Sequence, residues 1–137
     1  MELGEQTAAL KAHLEAKPGA GAAPMAPPRG GVPNVLIFKV MGRTFAILGL
    51  RGEPFVILKC DPHLVDILKQ QYAGIGHRSH LDRRFWISVS LDAGVPPGEV
   101  GRLADQSYDL VCAGLTRKQR AFLSAPRGLP NAPPDAR

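Results

Sequence analysis

Three apolar runs follow one another in the middle of the chain: VLIFKV (Val35–Val40), TFAILGL (44–50) and PFVILKC (54–60). Each is rich in β-branched and aromatic residues, and the glycine-containing strings Met41-Gly42-Arg43 and Arg51-Gly52-Glu53 separate them. Turns this short predict antiparallel hairpins, because parallel neighbours need a long crossover. Side chains alternate between faces along a strand. Leu36, Phe38 and Val40 therefore share one face, and Ile37 and Lys39 the other. In the third run Val56, Leu58 and Cys60 oppose Phe55, Ile57 and Lys59. One face is wholly apolar and is expected to meet helices. The other holds Ile37, Leu48, Phe55 and Ile57 in its middle and lysines at its ends.

The pattern changes to a helical period on both sides of this meander. Leu3, Thr7, Leu10 and Leu14 repeat at helical spacing, predicting a helix over 3–16 that Lys17-Pro18-Gly19 stops, with His13 on its solvated side. After the third run, Asp61 is placed to cap a helix and Pro62 to occupy its first position. Leu64, Val65, Leu68 and Tyr72 form that helix's apolar stripe, His63 faces solvent, and Gly74 and Gly76 end it. Next comes HRSHLDRRFWISV (77–89), a loop or short strand leading into a longer one. There Phe85, Ile87, Val89 and Leu91 alternate with Arg84, Trp86, Ser88 and Ser90, so Phe85 and Ile87 are expected in the core and Trp86 on the mixed face. A helix over 97–113 follows, stopped by Gly114, with Ser107 toward the sheet and Tyr108 at its rim. Thr116 and Gln119 form a capping-box pattern for a last short helix.

Two segments lack any period. Residues 18–33 are rich in alanine, glycine and proline, and residues 125–137 are rich in proline. Such composition does not repay the entropy of ordering, so both are expected to be unfolded. The organisation expected is an N-terminal helix (1–17), a linker (18–33), an α+β domain (34–124) and a disordered tail (125–137).

Composition adds modest constraints. The chain has 137 residues, enough for one modest core, and 45% of them are hydrophobic. Its formal charge of +5 favours acidic partners such as nucleic acid or an acidic protein. The two cysteines, Cys60 and Cys112, fit no metal or redox spacing and read as buried free thiols. The first residues resemble no signal peptide, and no run approaches the length of a spanning helix. A cytoplasmic location, with no membrane association, is the expectation.

Four residue strings now stand in order: FKVMGRTFAIL from Phe38, LKCDP from Leu58, HLDRRFW from His80 and SYDLV from Ser107. Together they resemble the MmcQ/YjbR family, over about residues 35–115. The resemblance implies an α+β domain with an antiparallel sheet backed by helices, similar to type III secretion chaperones. It also implies a small non-enzymatic protein without a cofactor, of a kind described as double-wing DNA-binding proteins. The family's HxNKRHW string reads His80-Leu81-Asp82-Arg83-Arg84-Phe85-Trp86 here, so an asparagine is replaced by Asp82 and a histidine by Phe85.

The residues themselves offer several candidate chemistries. His77, His80 and Asp82 could ligate a metal, but no fourth ligand is near and Arg78, Arg83 and Arg84 would repel a dication. Neither cysteine lies in a setting that activates a thiol, and no nucleophile elbow or phosphate-binding loop is present. No enzymatic activity is expected. Nucleic acid fits better. Lys39, Lys59, Arg84 and Trp86 are expected on the mixed face with Arg43 and Arg83 in adjoining turns, offering phosphate attraction and a stacking surface. The basic string RKQR on the last helix would extend it. The alternative is a protein-binding adaptor or chaperone-like module, monomer or homodimer, that uses the sheet face or accepts a strand at the sheet edge.

Overall fold

The computed structural model describes residues 4–25, 35–50, 53–77 and 81–124. The elements run α1 (Glu5–Glu15), β1 (Ala20–Met25), β2 (Val35–Val40), β3 (Arg43–Gly49), β4 (Phe55–Lys59), α2 (Pro62–Gln71), β5 (Ile75–Gly76), β6 (Trp86–Ser90), α3 (Pro97–Ala113) and α4 (Arg117–Ser124). The strands form one antiparallel sheet in the order β1-β2-β3-β4-β6-β5. The fold is α+β, as the pattern and the resemblance both implied.

Local chemistry explains most boundaries. Met41 and Gly42 both take positive φ, 49° and 82°, the geometry of a two-residue hairpin turn matched to strand twist. Asp61 accepts a hydrogen bond from the His63 N–H at 2.8 Å and Pro62 opens α2. Thr116 and Gln119 exchange reciprocal bonds of 3.0 and 3.1 Å at the start of α4. Gly114 follows the last residue of α3.

The core lies on one side of the sheet. Phe38, Ala46, Leu48, Val56, Leu58, Ile87 and Val89 pack against Leu10 and Leu14 of α1, Val65 and Leu68 of α2, and Val100, Leu103 and Ala104 of α3. α3 crosses β2, β3 and β4, while α1 lies against α3 and β1. Cys60 is buried and Cys112 only half-buried, and both are free thiols.

Several expectations are overturned here, among them that for Phe85, which is half-buried in the turn before β6 and not part of the core. Residues 20–25, assigned to the linker, form β1 and pair with β2 from Ala20↔Val40 to Met25↔Val35. The strand forms without β-branched residues because β2 supplies the ladder and Tyr108 anchors its approach, its hydroxyl donating to the Pro18 carbonyl at 2.5 Å. The rest of that linker, 26–33, and the tail 125–137 lie outside the described residues. Tyr108 is accordingly buried, not at the rim. Leu48 is in the core, and Ile47 takes the place expected for it on the opposite face. A bulge causes this: Phe38 pairs with Ala46 but Lys39 with Thr44, leaving Phe45 as an extra residue on β3. One extra residue inverts the facing of everything beyond it.

Ser107 closes the gap that the bulge opens. Its hydroxyl donates to the Phe45 carbonyl at 2.6 Å and accepts from the Lys59 N–H at 2.8 Å. Among the described strands, the β3–β4 register runs only from Ala46↔Leu58 to Leu48↔Val56. A helix side chain thus completes the ladder between them.

Candidate binding face of the sheet

The strand faces turned away from the core form the candidate site. Ile37, Ile47 and Ile57 stand in register across β2, β3 and β4, continued by Ser88 of β6. Ile57 is 5% exposed yet stands apart from the helix-side core, while Ile37, Ile47, Phe55 and Trp86 are half-buried. Phe55 lies across Gly49, where an added Cβ would fall 2.3 Å from its ring. A side chain at that position would require the Phe55 ring to move. At one end of the face Lys59 pairs with Trp86, and the exposed Lys39 stands on β2. No strand position directed to this face carries a carboxylate. None of the described helices packs on it.

The six residues expected to form one basic–aromatic surface are divided by the fold. Lys39, Lys59 and Trp86 share the open face. Arg43 pairs with Val40, a core residue, and so turns to the helix side. There its Nη1 lies 3.7 Å from where a side chain on Gly114 would begin. Arg83 and Arg84 sit in the turn before β6 and line a groove with Pro62, Asp66 and Lys69 beside α2. Arg84 is thus not on the mixed face. Its Nε and Nη2 donate to Asp82 at 3.1 and 2.8 Å, and its guanidinium lies 5.2 Å above the half-buried Phe85 ring. The side-chain and backbone hydrogen bonds from Arg84 hold the Asp82 carboxyl at about 2.

The remaining candidates separate similarly. His77 Nδ1 lies 3.4 Å from the Trp86 carbonyl, and His80 is outside the described residues. Burial, and then the neighbouring Asp61 charge, push the Cys60 thiol up to about 11, which makes it a poor nucleophile at neutral pH.

Sequence reasoning missed a polar tether between α1 and α3. Asp105 Oδ1 accepts from Lys17 Nζ at 2.5 Å and lies 2.7 Å from His13 Nε2. Lys17 also sits 5.6 Å over the Tyr108 ring. Partners so far apart in sequence, 92 residues in the case of His13 and Asp105, leave no local signal. Burial raises the Asp105 carboxyl, but the bonds from Lys17 and His13 outweigh it and leave it below its usual range. A depressed carboxylate adds stability that is complete above its unfolded value, near 4, and lost as pH falls through its folded one. Asp105 is 44% exposed, so solvent screening limits the effect to below about 1 kcal/mol. Asp105→Asn is expected to melt lower than the parent at pH 6, with the gap closing toward pH 3. A gap independent of pH would show that the charge does not matter.

An antiparallel sheet with its core and helices on one side defines the class: a small α+β domain. The YjbR family model matches residues 16–110, and the chain belongs to the YjbR family. It is 31% identical over 74 residues to the uncharacterised protein YjbR of Escherichia coli K12, covering 54% of this chain and 63% of that protein. The match thus spans less than two thirds of YjbR's own length. The uncharacterised YbdF of Escherichia coli O157:H7 is 32% identical over 89 residues, covering 64% of this chain and 73% of YbdF. Among solved structures, Deinococcus radiodurans DR2400, with a DUF419 domain, superposes with a TM-score of 0.72 and 28% identity over 88% of both chains. A Pseudomonas syringae protein shares the fold, with a TM-score of 0.62 and 21% identity over 79% of this chain and 98% of its own. No helix among the described residues is long and apolar enough to cross a membrane.

Proposed function

We propose that this protein is a non-catalytic binding module whose open sheet face is covered by an apolar, acidic segment of a partner protein. The observation that carries this reading is the row Ile37, Ile47 and Ile57 on a face without a described helix, ending in Lys39 and Lys59. Contiguous apolar surface with a polar rim marks interaction sites, and the one-signed rim selects an acidic ligand.

The sheet edges fit this role less well. Ala20, Ala22 and Pro24 alternate to one side of β1. The Ala20 N–H is taken by the Lys17 carbonyl at 3.0 Å, and proline has none, so Ala22 is the one donor left on that side. The other edge strand, β5, has 2 residues. Interrupted and short edges discourage strand addition.

Nucleic acid is the second reading, favoured by the pairing of Lys59 with Trp86. It loses weight because Arg43, Arg83 and Arg84 are turned elsewhere, leaving few cations to contact phosphates beside the indole. The test uses the single tryptophan, whose fluorescence reports directly on this face. A synthetic peptide alternating leucine and glutamate should shift Trp86 emission to the blue. Lys39→Glu with Lys59→Glu should weaken that binding roughly tenfold at low salt, as two rim ion pairs imply. Quenching by oligothymidylate with a steep salt dependence, and no response to the peptide, would replace the protein reading with the nucleic-acid one. No emission change with either ligand would remove the face as a site.

A further inference from the structure

A second concavity lies on the helix side, between α1 and the first half of α3, away from the open face and independent of the function proposed for it. We infer that this groove binds a small, neutral, mainly apolar molecule carrying a hydrogen-bond acceptor, such as a medium-chain ketone, ester or amide. Its volume is about 750 Å³, the size of an ordinary small-molecule site. Leu10 and Val100 line its base, and Ala9, Gly98 and Gly101 keep its walls low. A Cβ on Gly98 would meet nothing within 4 Å, and one on Gly101 only His13 Nε2 at 4.0 Å. The two glycines hold space open where larger side chains would fit.

The polar groups around the groove define what it would take. Gln6, on its wall, has a buried amide nitrogen with no acceptor among the described residues. A buried donor in that position favours any ligand that brings an acceptor to it. Apart from Glu5, the charged groups are already matched. Asp105 is engaged by Lys17 and His13. Arg102 grips Glu99 with two hydrogen bonds, Nε to Oε1 at 2.9 Å and Nη2 to Oε2. Glu5 is exposed at the mouth. An anionic ligand would face Glu5 and Asp105 without a free cation, and a cationic one would find only the exposed Glu5, whose attraction solvent screens. A neutral acceptor suits the site.

Three probes of one chain length, 2-heptanone, heptanoate and heptylammonium, with heptane as the hydrocarbon reference, separate the possibilities when followed by amide NMR on the full chain. The ketone is expected to shift the backbone signals of Ala9, Gly98 and Gly101 and to move the Gln6 side-chain amide downfield. The charged analogues should bind at least tenfold more weakly. Gly101→Leu should fill the groove and reduce ketone binding at least tenfold without lowering the melting temperature, since glycine is a poor helix former. Gln6→Leu should retain the tail's contacts but erase the preference for the ketone over the hydrocarbon heptane. Equal binding of all three probes, shifts that persist in Gly101→Leu, or shifts confined to the sheet face would each overturn the inference.

Discussion

Replacing Phe45 with alanine is expected to destabilise the protein by about 3–5 kcal/mol, the range for deleting a large buried aromatic. Phe45 is fully buried and packs between two rings, Phe38 at 6.3 Å and Tyr108 edge-on at 5.2 Å. It is also the extra residue of the β3 bulge. The large ring gives the bulged residue a reason to point inward, and its loss removes both the packing and that reason. A urea melt should show the full loss, with Phe45→Leu retaining more than half of the stability that alanine forfeits. A loss below about 1 kcal/mol would mean that the bulge is held by the backbone and not by this side chain.

Ser107→Ala is expected to cost about 2–4 kcal/mol although it removes a single oxygen atom. The hydroxyl serves two backbone groups on different strands, the Phe45 carbonyl and the Lys59 N–H. Each buried group deprived of its partner costs about 1–3 kcal/mol. The measurement is a denaturant melt combined with hydrogen exchange. Exchange at Lys59 should accelerate beyond the global change, because that N–H loses its acceptor directly. A neutral substitution would show that water reaches the gap between β3 and β4 and replaces the hydroxyl.

Both residues show where sequence reading worked and where it stopped. Asp61 with Pro62, the Thr116 and Gln119 pair, and the limits of α3 were legible because their causes lie within a few residues. The split of the first and third runs into two faces was legible for the same reason. The facing of β3 was not, since a regular register from the Met41-Gly42 turn puts Leu48 outside, and only the bulge reverses it. β1 escaped because AGAAPM has no strand signature, and its stability comes from β2 and from a tyrosine 90 residues away. In the candidate site, alternation along the strands puts Lys39, Lys59 and Trp86 on one face, and Arg83 lies in a turn as expected. Arg84 does not join that face, because it precedes the strand and answers to Asp82 instead.

β1 is a plain strand, yet its position gives it a protective role. The strand it covers, VLIFKV, has a single charge and strong β character, the composition of a segment that recruits copies of itself when its edge is bare. With β1 in place, the outermost strand is one of small residues interrupted by a proline. Local opening of α1 and β1, held by Leu10, Leu14, Tyr108 and the Asp105 cluster, would turn VLIFKV into the edge while most of the core stayed folded. The concentration at which this protein stays dispersed is then expected to follow the free energy of peeling back residues 4–25 more closely than that of global unfolding.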